Sequence, residues 1–221
     1  MAFSANYISL PLLVHNDSFN GCLPEDVRKI IDIKKNDPLL ILYIGRFDLV
    51  KVKNSNLPLF DLISSCRLLL GTNRNFHIFY IGDGKEYQKM QGKITENKVD
   101  EYVTMLGPKN NIFDYINICH LGVGGVAFNG VSEEYTVAGI PQLLVKCGAN
   151  DNTPWEDMRN SVFVKGGSTF DIAEKLGWAI DNRRFLKKIG RNAKQDMEKW
   201  ITDTKAGGRL YLKEFKKILD Q

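Results

Sequence analysis

The sequence predicts an α/β fold, a doubly wound parallel sheet of about six strands with C-terminal helices packed beside it. Three observations carry that reading. Short apolar runs alternate with longer amphipathic stretches along most of the chain, the rhythm of strand–helix–strand crossovers. The runs are rich in leucine, aromatic and β-branched residues and nearly continuous, as strands covered on both faces should be. The chain has 221 residues, 43% hydrophobic and 25% charged, enough to bury a core without disulfides or metals.

Six runs are the expected strands: Leu39 to Ile44 (LLILYI), Phe76 to Ile81 (FHIFYI), Tyr102 to Leu106 (YVTML), the glycine-rich His120 to Val126 (HLGVGGV), Gln142 to Val145 (QLLV) and Ser161 to Val164 (SVFV). Helical patterns lie between them at about Leu57 to Leu70, Lys85 to Asn97, Asn111 to Ile118 and Ser132 to Ala138. After the sixth strand the chain turns helical. Ser168 is the expected N-cap, with Phe170, Ala173, Leu176, Gly177 and Ile180 on one face,. Phe185 to Trp200 and Leu210 to Leu219 continue as amphipathic helices.

The opening differs from the rest. Leu10 to Val14 (LPLLV) is a candidate strand, Asn16 to Gly21 a loop, Pro24 to Asp32 a short helix and Asn36-Asp37-Pro38 a break,. The chain therefore divides into a lead-in over 1–38, a sheet domain over 39–182 and C-terminal helices over 183–221. No repeat or low-complexity segment interrupts it.

Several function classes are disfavoured. No apolar run approaches the roughly 20 residues that span a bilayer, and Met1 to Val14 lacks the basic start of a signal peptide,. Cys22, Cys66, Cys119 and Cys147 are far apart, which argues against a zinc site and a disulfide framework and fits a reducing, cytoplasmic compartment. No D-x-D or histidine cluster suggests a metal; His15, His77 and His120 are scattered. The net charge is +4, with 12 basic and 5 acidic residues from Arg183 onward. That basic tail is either a solvated face or a contact for an anionic membrane or polyanionic acceptor. Without interleaved aromatics it does not resemble a nucleic-acid platform. No G-x-G-x-x-G follows the first strand, which disfavours a dehydrogenase. Gly122, Gly124 and Gly125 do not open a helix and are read as close backbone packing.

In an open parallel sheet ligands bind at the carboxyl ends of the strands, so the residues after each strand are the candidates. Gly45-Arg46-Phe47-Asp48-Leu49-Val50-Lys51 places two cations on one loop, either solvated or converging on a diphosphate,. Gly82-Asp83-Gly84 reads as a tight turn. Leu106-Gly107-Pro108 is either a turn or backbone offered to a planar base. Asn129-Gly130 stands just ahead of a helix start, where free amides suit a phosphate or a sugar hydroxyl. Glu133 and Glu134 lie in the first turn, where a carboxylate also compensates the helix dipole.

Together these motifs resemble the C-terminal domain of the GT-B glycosyltransferases, closest to glycosyltransferase family 4. That group has G-R-x-x-x-x-K after a strand, as in Gly45, Arg46 and Lys51. It has G-D-G after a later strand, as in Gly82-Asp83-Gly84, and then V-x-x-L-G, as in Val103 to Gly107. It also has a glutamate five residues before the glycine of A-G-x-P, as Glu134 precedes Gly139 in Ala138-Gly139-Ile140-Pro141. The resemblance covers about Leu39 to Gln221 and rests on four motifs in order. It implies that 39–182 is a Rossmann-like domain binding a UDP- or GDP-linked sugar, for hexosyl transfer to a glycan or lipid-linked acceptor, with no cofactor. Arg46, Lys51, Asn129 and Gly130 would hold the donor diphosphate, Glu134 the ribose, and Gly107 and Pro108 would border the base.

The sequence departs from the family in three places. Val126 stands where the family keeps a second glutamate, Ala127-Phe128-Asn129-Gly130 replaces a G-F-G run, and Val52 replaces a glycine after Lys51. The family fold also uses two such domains, and this sequence is expected to contain one. The acceptor side then lies on an N-terminal domain or a partner subunit. The rival readings are a non-catalytic glycosyltransferase-like scaffold and a related nucleotide-sugar enzyme such as an epimerase.

Overall fold

The computed structural model describes residues 12–14, 24–34, 37–48, 51–52, 55–56, 59–72, 75–124, 130–146, 155–166, 168–197, 201–203 and 216. The central sheet has six parallel strands: β2 (Leu39–Ile44), β5 (Phe76–Ile81), β6 (Val103–Gly107), β7 (Leu121–Val123), β8 (Gln142–Lys146) and β9 (Val162–Lys165). Their order is β6-β5-β2-β7-β8-β9. The chain starts at the centre with β2, winds outward through β5 and β6, then returns to the other side of β2 with β7. β2 pairs with β5 along its whole length, from Leu39↔Phe76 to Ile44↔Ile81, and with the shorter β7 from Ile41↔Leu121 to Tyr43↔Val123.

Strand alternation assigns the two faces. Leu39, Ile41 and Tyr43 of β2 and Phe76, Ile78 and Tyr80 of β5 point into one core, shared with α2 (Leu59–Leu69), α3 (Tyr87–Asn97) and α6 (Thr169–Asp181). Leu40 and Leu42 of β2 and Phe79 and Ile81 of β5 point into the other. There they meet Val27 of α1 (Glu25–Lys34), Tyr115 and Ile116 of α4 (Ile112–Ile116), and Tyr135 of α5 (Gly130–Val137). Because successive side chains leave opposite faces of a strand, the continuous apolar runs supply both cores at once. Truncating such a residue, Ile78 for example, costs about 2–5 kcal/mol.

The lead-in is tied to the domain by charge as well as apolar packing. Asp26 of α1 accepts from Lys109 Nζ at 2.9 Å and from the Tyr115 hydroxyl at 3.0 Å. Two small pairings lie outside the central sheet, one of them using the candidate strand at Leu10 to Val14. β1 (Leu12–Val14) pairs in parallel with β10 (Ile201–Asp203). β3 (Lys51–Val52) and β4 (Ser55–Asn56) form an antiparallel pair. Of the expected helix over Leu210 to Leu219 only Lys216, which is helical, is described; His15, Cys22 and Cys147 lie outside the described residues.

Ser168 caps α6 as expected, its Oγ accepting from Asp171 N at 3.2 Å. Phe170, expected on the buried face, is 73% exposed. The buried stripe is Ile172, Ala173, Leu176, Ala179 and Ile180, and at roughly 100° per residue Phe170 falls about a third of a turn away from its centre. The sheet sets the stripe, not the largest apolar side chain.

The last long helix, α7 (Arg183–Met197), closes the amino-terminal edge of the sheet. It buries Leu186, Ile189 and Ala193 and approaches the turn between α5 and β8 at backbone distance. A Cβ on Gly190 would lie 2.1 Å from the Gly139 carbonyl oxygen and 2.8 Å from Pro141 Cδ. Gly190→Ala is therefore expected to destabilise the chain by about 1–3 kcal/mol, the usual cost of overpacking. Gly92→Ala, mid-helix with nothing near its added methyl, should stabilise it by about 0.5–1 kcal/mol. Urea unfolding of the two variants checks both signs.

Candidate functional site

The sheet reverses its winding between β2 and β7, and the crevice beyond the carboxyl ends of strands at such a point is the natural ligand position. Three loops form one side of this edge and are joined through their backbones. Gly45 N donates to Ile81 O at 3.0 Å, Phe47 N to Asp83 O at 2.9 Å, Gly82 N to Gly107 O at 3.1 Å, and Glu86 N to Phe47 O at 2.8 Å. Gly82 has φ +141°, and a Cβ there would meet the Gly45 carbonyl oxygen. The Gly82-Asp83-Gly84 turn is thus a brace beneath the Gly45–Asp48 loop, as well as a tight turn.

On that braced loop Arg46 faces solvent, its side chain 84% exposed, with Nη2 2.7 Å from Asp48 Oδ2. Asp48 Oδ1 in turn accepts from Lys85 N at 3.1 Å. Asp48 therefore steers an otherwise unconfined cation at the strand end. Lys51 opens β3, but its side chain lies outside the described residues, as do Asn129 and Val126. Gly107 ends β6 with φ +69°, one residue later than the apolar run suggested, after a register shift between Tyr80 and Ile81. Pro108 is exposed beyond it.

The other side of the edge is α5, which Gly130 begins. Its position is set by Tyr135. The ring is fully buried and occupies the space a Cβ on Gly122 would need, at 2.7 Å. Its hydroxyl donates to Leu42 O at 2.7 Å. A second lock comes from β8. Ser132 Oγ donates to Gln142 Oε1 at 2.8 Å, and Gln142 Nε2 donates to Ser132 O at 2.9 Å and Thr136 Oγ1 at 3.0 Å. A buried network satisfied in this way holds one arrangement. Asp48, Tyr135 and Gln142 escaped the sequence reading. The signal available was a glycine inside a strand with an aromatic residue on the next helix.

Glu133 and Glu134 are carried between these anchors. Burial, helped by the neighbouring Glu134 charge, raises the Glu133 carboxyl from its ordinary 4.5 to about 7. Burial also raises Glu134. Glu134 Oε2 is buried, and no described group donates to it. An unpaired buried acceptor is costly and is the feature expected of a carboxylate that takes hydrogen bonds from a ligand. The two described histidines are structural: His77 Nε2 lies 2.9 Å from Thr104 Oγ1, and His120 Nδ1 accepts from Leu40 N at 2.9 Å. Cys66 and Cys119 are buried free thiols. Among the described residues no three His, Cys, Asp or Glu side chains group as metal ligands, and no helix is long and apolar enough to cross a membrane.

No protein-family model and no curated protein matches the sequence, but solved structures match the fold. HepE of Anabaena, in complex with UDP and glucose, superposes with a TM-score of 0.69 at 16% identity over 88% of this chain and 53% of its own. The C-terminal domain of a glycosyl transferase group 1 family protein, LpcC from Francisella tularensis, gives 0.61 at 16% identity over 80% of this chain and 93% of its own. Sucrose-phosphate synthase from Thermosynechococcus elongatus gives 0.68 at 15% identity over 89% and 49%. The fold is one half of a GT-B fold. The chain spans about half the length of HepE and of the synthase, and nearly all of the isolated LpcC domain.

In this GT-B half, the edge bearing Arg46, Gly107 and α5 is the carboxyl edge of the sheet. A carboxyl at about 7 when folded holds its proton more tightly than in the unfolded chain. Between pH 4.5 and 7 folding therefore takes up a proton, and the Glu133 contribution falls as pH rises. Glu133→Gln should be more stable than the parent at pH 8 and lose that advantage at pH 4.5. Urea unfolding at the two pH values checks it.

Proposed function

We propose that the chain is the nucleotide-sugar-binding half of a glycosyltransferase. The observation that supports this best is the buried Glu134 Oε2, which has no donor among the described residues, on a helix locked to the point where the sheet reverses. The fold it shares with HepE, a structure holding UDP and glucose, favours a uridine nucleotide, with guanosine as the alternative base. In this reading Glu134 accepts hydrogen bonds from the ribose hydroxyls. The backbone at Gly107 and Pro108 borders the base. Arg46 and Lys51 converge on the diphosphate, joined by Asn129 and the first amides of α5 from Gly130.

The chemistry assigned to this half is stabilisation of the departing nucleoside diphosphate. Negative charge grows on the leaving diphosphate as the glycosidic bond to it breaks. Fixed cations and helix-terminal amides stabilise that charge without reorganising. Arg46 exchanges its Asp48 carboxylate for phosphate oxygens, and its planar fork can meet two of them at once. Transfer of a hexosyl group to a glycan or lipid-linked acceptor would draw on a second domain or a partner subunit. The basic residues of the C-terminal region suit a peripheral contact with an anionic membrane, on the cytoplasmic side in this reading. The second reading is a non-catalytic binding subunit, favoured by Val126 at the place where the family keeps a glutamate.

Calorimetric titration of uridine, UMP and UDP tests the site. A charge-assisted hydrogen bond contributes about 1.5–3 kcal/mol, so Glu134→Ala should weaken all three ligands by about tenfold or more. Arg46→Ala should weaken UDP far more than uridine, and Lys51→Ala should do the same less strongly. Lys98→Ala, on an exposed turn, should change nothing. No UDP or GDP binding at millimolar concentration, or equal losses for uridine and UDP in Arg46→Ala, would show a shared fold without a working donor site.

A further inference from the structure

A cavity of about 490 Å³ opens at the opposite end of the sheet, beneath the amino ends of the central strands. Leu39 begins β2, His120 precedes β7 and Pro141 precedes β8, and all three line it. Its other wall is α7. Arg183, Lys187 and Arg191 stand four residues apart along that helix and all face the cavity, as one helical stripe should. The backbone contact of Gly190 with Gly139 and Pro141 presses this stripe against the opening.

The charge is one-sided. Arg183 is already held by Asp37, with Nη1 2.9 Å from Oδ2 and Nη2 2.6 Å from the main-chain oxygen. Lys187 and Arg191 are exposed and have no ion-pair partner among the described residues. His120 feels the excess, since burial first and then the Arg183 and Lys187 charges lower its pKa, with Asp37 opposing them. Leu39, Ile140 and Leu186 give the cavity an apolar floor, and its size falls in the range of small-molecule sites, about 300–1,000 Å³.

We infer that this cavity is a second anion site, distinct from the carboxyl-edge site, that takes a phosphate group. Two cations four residues apart, unpaired among the described residues, match a dianion, where a carboxylate would neutralise only one of them. The guanidinium of Arg191 can bind phosphate oxygens in pairs while Lys187 contributes a point charge. The apolar floor accommodates whatever carries the phosphate, either a soluble phosphate ester or a lipid headgroup.

The test uses the full chain and two probes. Inorganic phosphate is titrated at constant ionic strength while the amide resonances of Gly139 and Gly190 are followed. Vesicles of phosphatidylglycerol in phosphatidylcholine are offered in a sedimentation assay. Saturable shifts are expected in the parent and equally in Arg46→Ala, which separates this cavity from the carboxyl edge. Lys187→Ala with Arg191→Ala should weaken binding by about tenfold or more, and Lys98→Ala should not. Lys187→Gln with Arg191→Gln repeats the test if the alanine pair does not fold. Binding of phosphate, lost in the double variant, supports the site with a soluble phosphate as its source. Vesicle binding alone, lost in the same variant, supports it with a lipid headgroup. Absence of saturable binding to both probes, or binding that the double variant retains, overturns it.

Discussion

The close approach of α5 to the sheet is the constraint on which the candidate site depends. Tyr135 can lie flat against the strands only because Gly122 has no side chain, and its hydroxyl is satisfied by the Leu42 carbonyl. A buried hydroxyl without that partner would be costly. The Ser132–Gln142–Thr136 network fixes the same helix to the neighbouring strand. Together they fix α5, and with it Glu134, against the carboxyl ends of the central strands.

The two ends of the sheet are built by different means. At the carboxyl edge, backbone hydrogen bonds join the loops after β2, β5 and β6, so Arg46 stands on a rigid base although its side chain, held by Asp48, is exposed to solvent. At the amino edge a helix laid across the strand starts supplies the charge, and its position follows from the contact at Gly190. Positive groups therefore stand at both edges, separated by the apolar layers of the sheet and its helices. An anion at one edge does not compete for the residues of the other.

Much of the fold was legible from period alone. All six strands of the central sheet fall on the apolar runs, because strands buried on both faces need unbroken apolar sequence. Boundaries moved by a residue or a few: the run at Tyr102 to Leu106 became Val103–Gly107, and the glycine-rich run shortened to Leu121–Val123. The candidate strand at Leu10 to Val14 holds β1, but its partner β10 and the β3–β4 pair were not legible, being two or three residues long. Phe170 misled the pattern, because hydrophobicity marks what can be buried and not what the sheet covers. Arg46, Gly107, Gly130 and Glu134 stand, as the sequence suggested, at strand ends or in the first turns of α5. Asp48, Tyr135 and Gln142 were not legible, since their roles are contacts with residues distant in sequence.

The sequence by itself determined the class of fold, the order of the motifs and the kinds of group available at the strand ends. Those are local properties, set by side-chain size, period and backbone freedom. Only the tertiary structure decided that the sheet reverses between β2 and β7 and that Glu134 keeps a buried oxygen with no donor among the described residues. It also decided that Arg183, Lys187 and Arg191 open onto a cavity and not onto bulk solvent. Each of these depends on which elements become neighbours, and neighbours are chosen by packing over distances that no local pattern records.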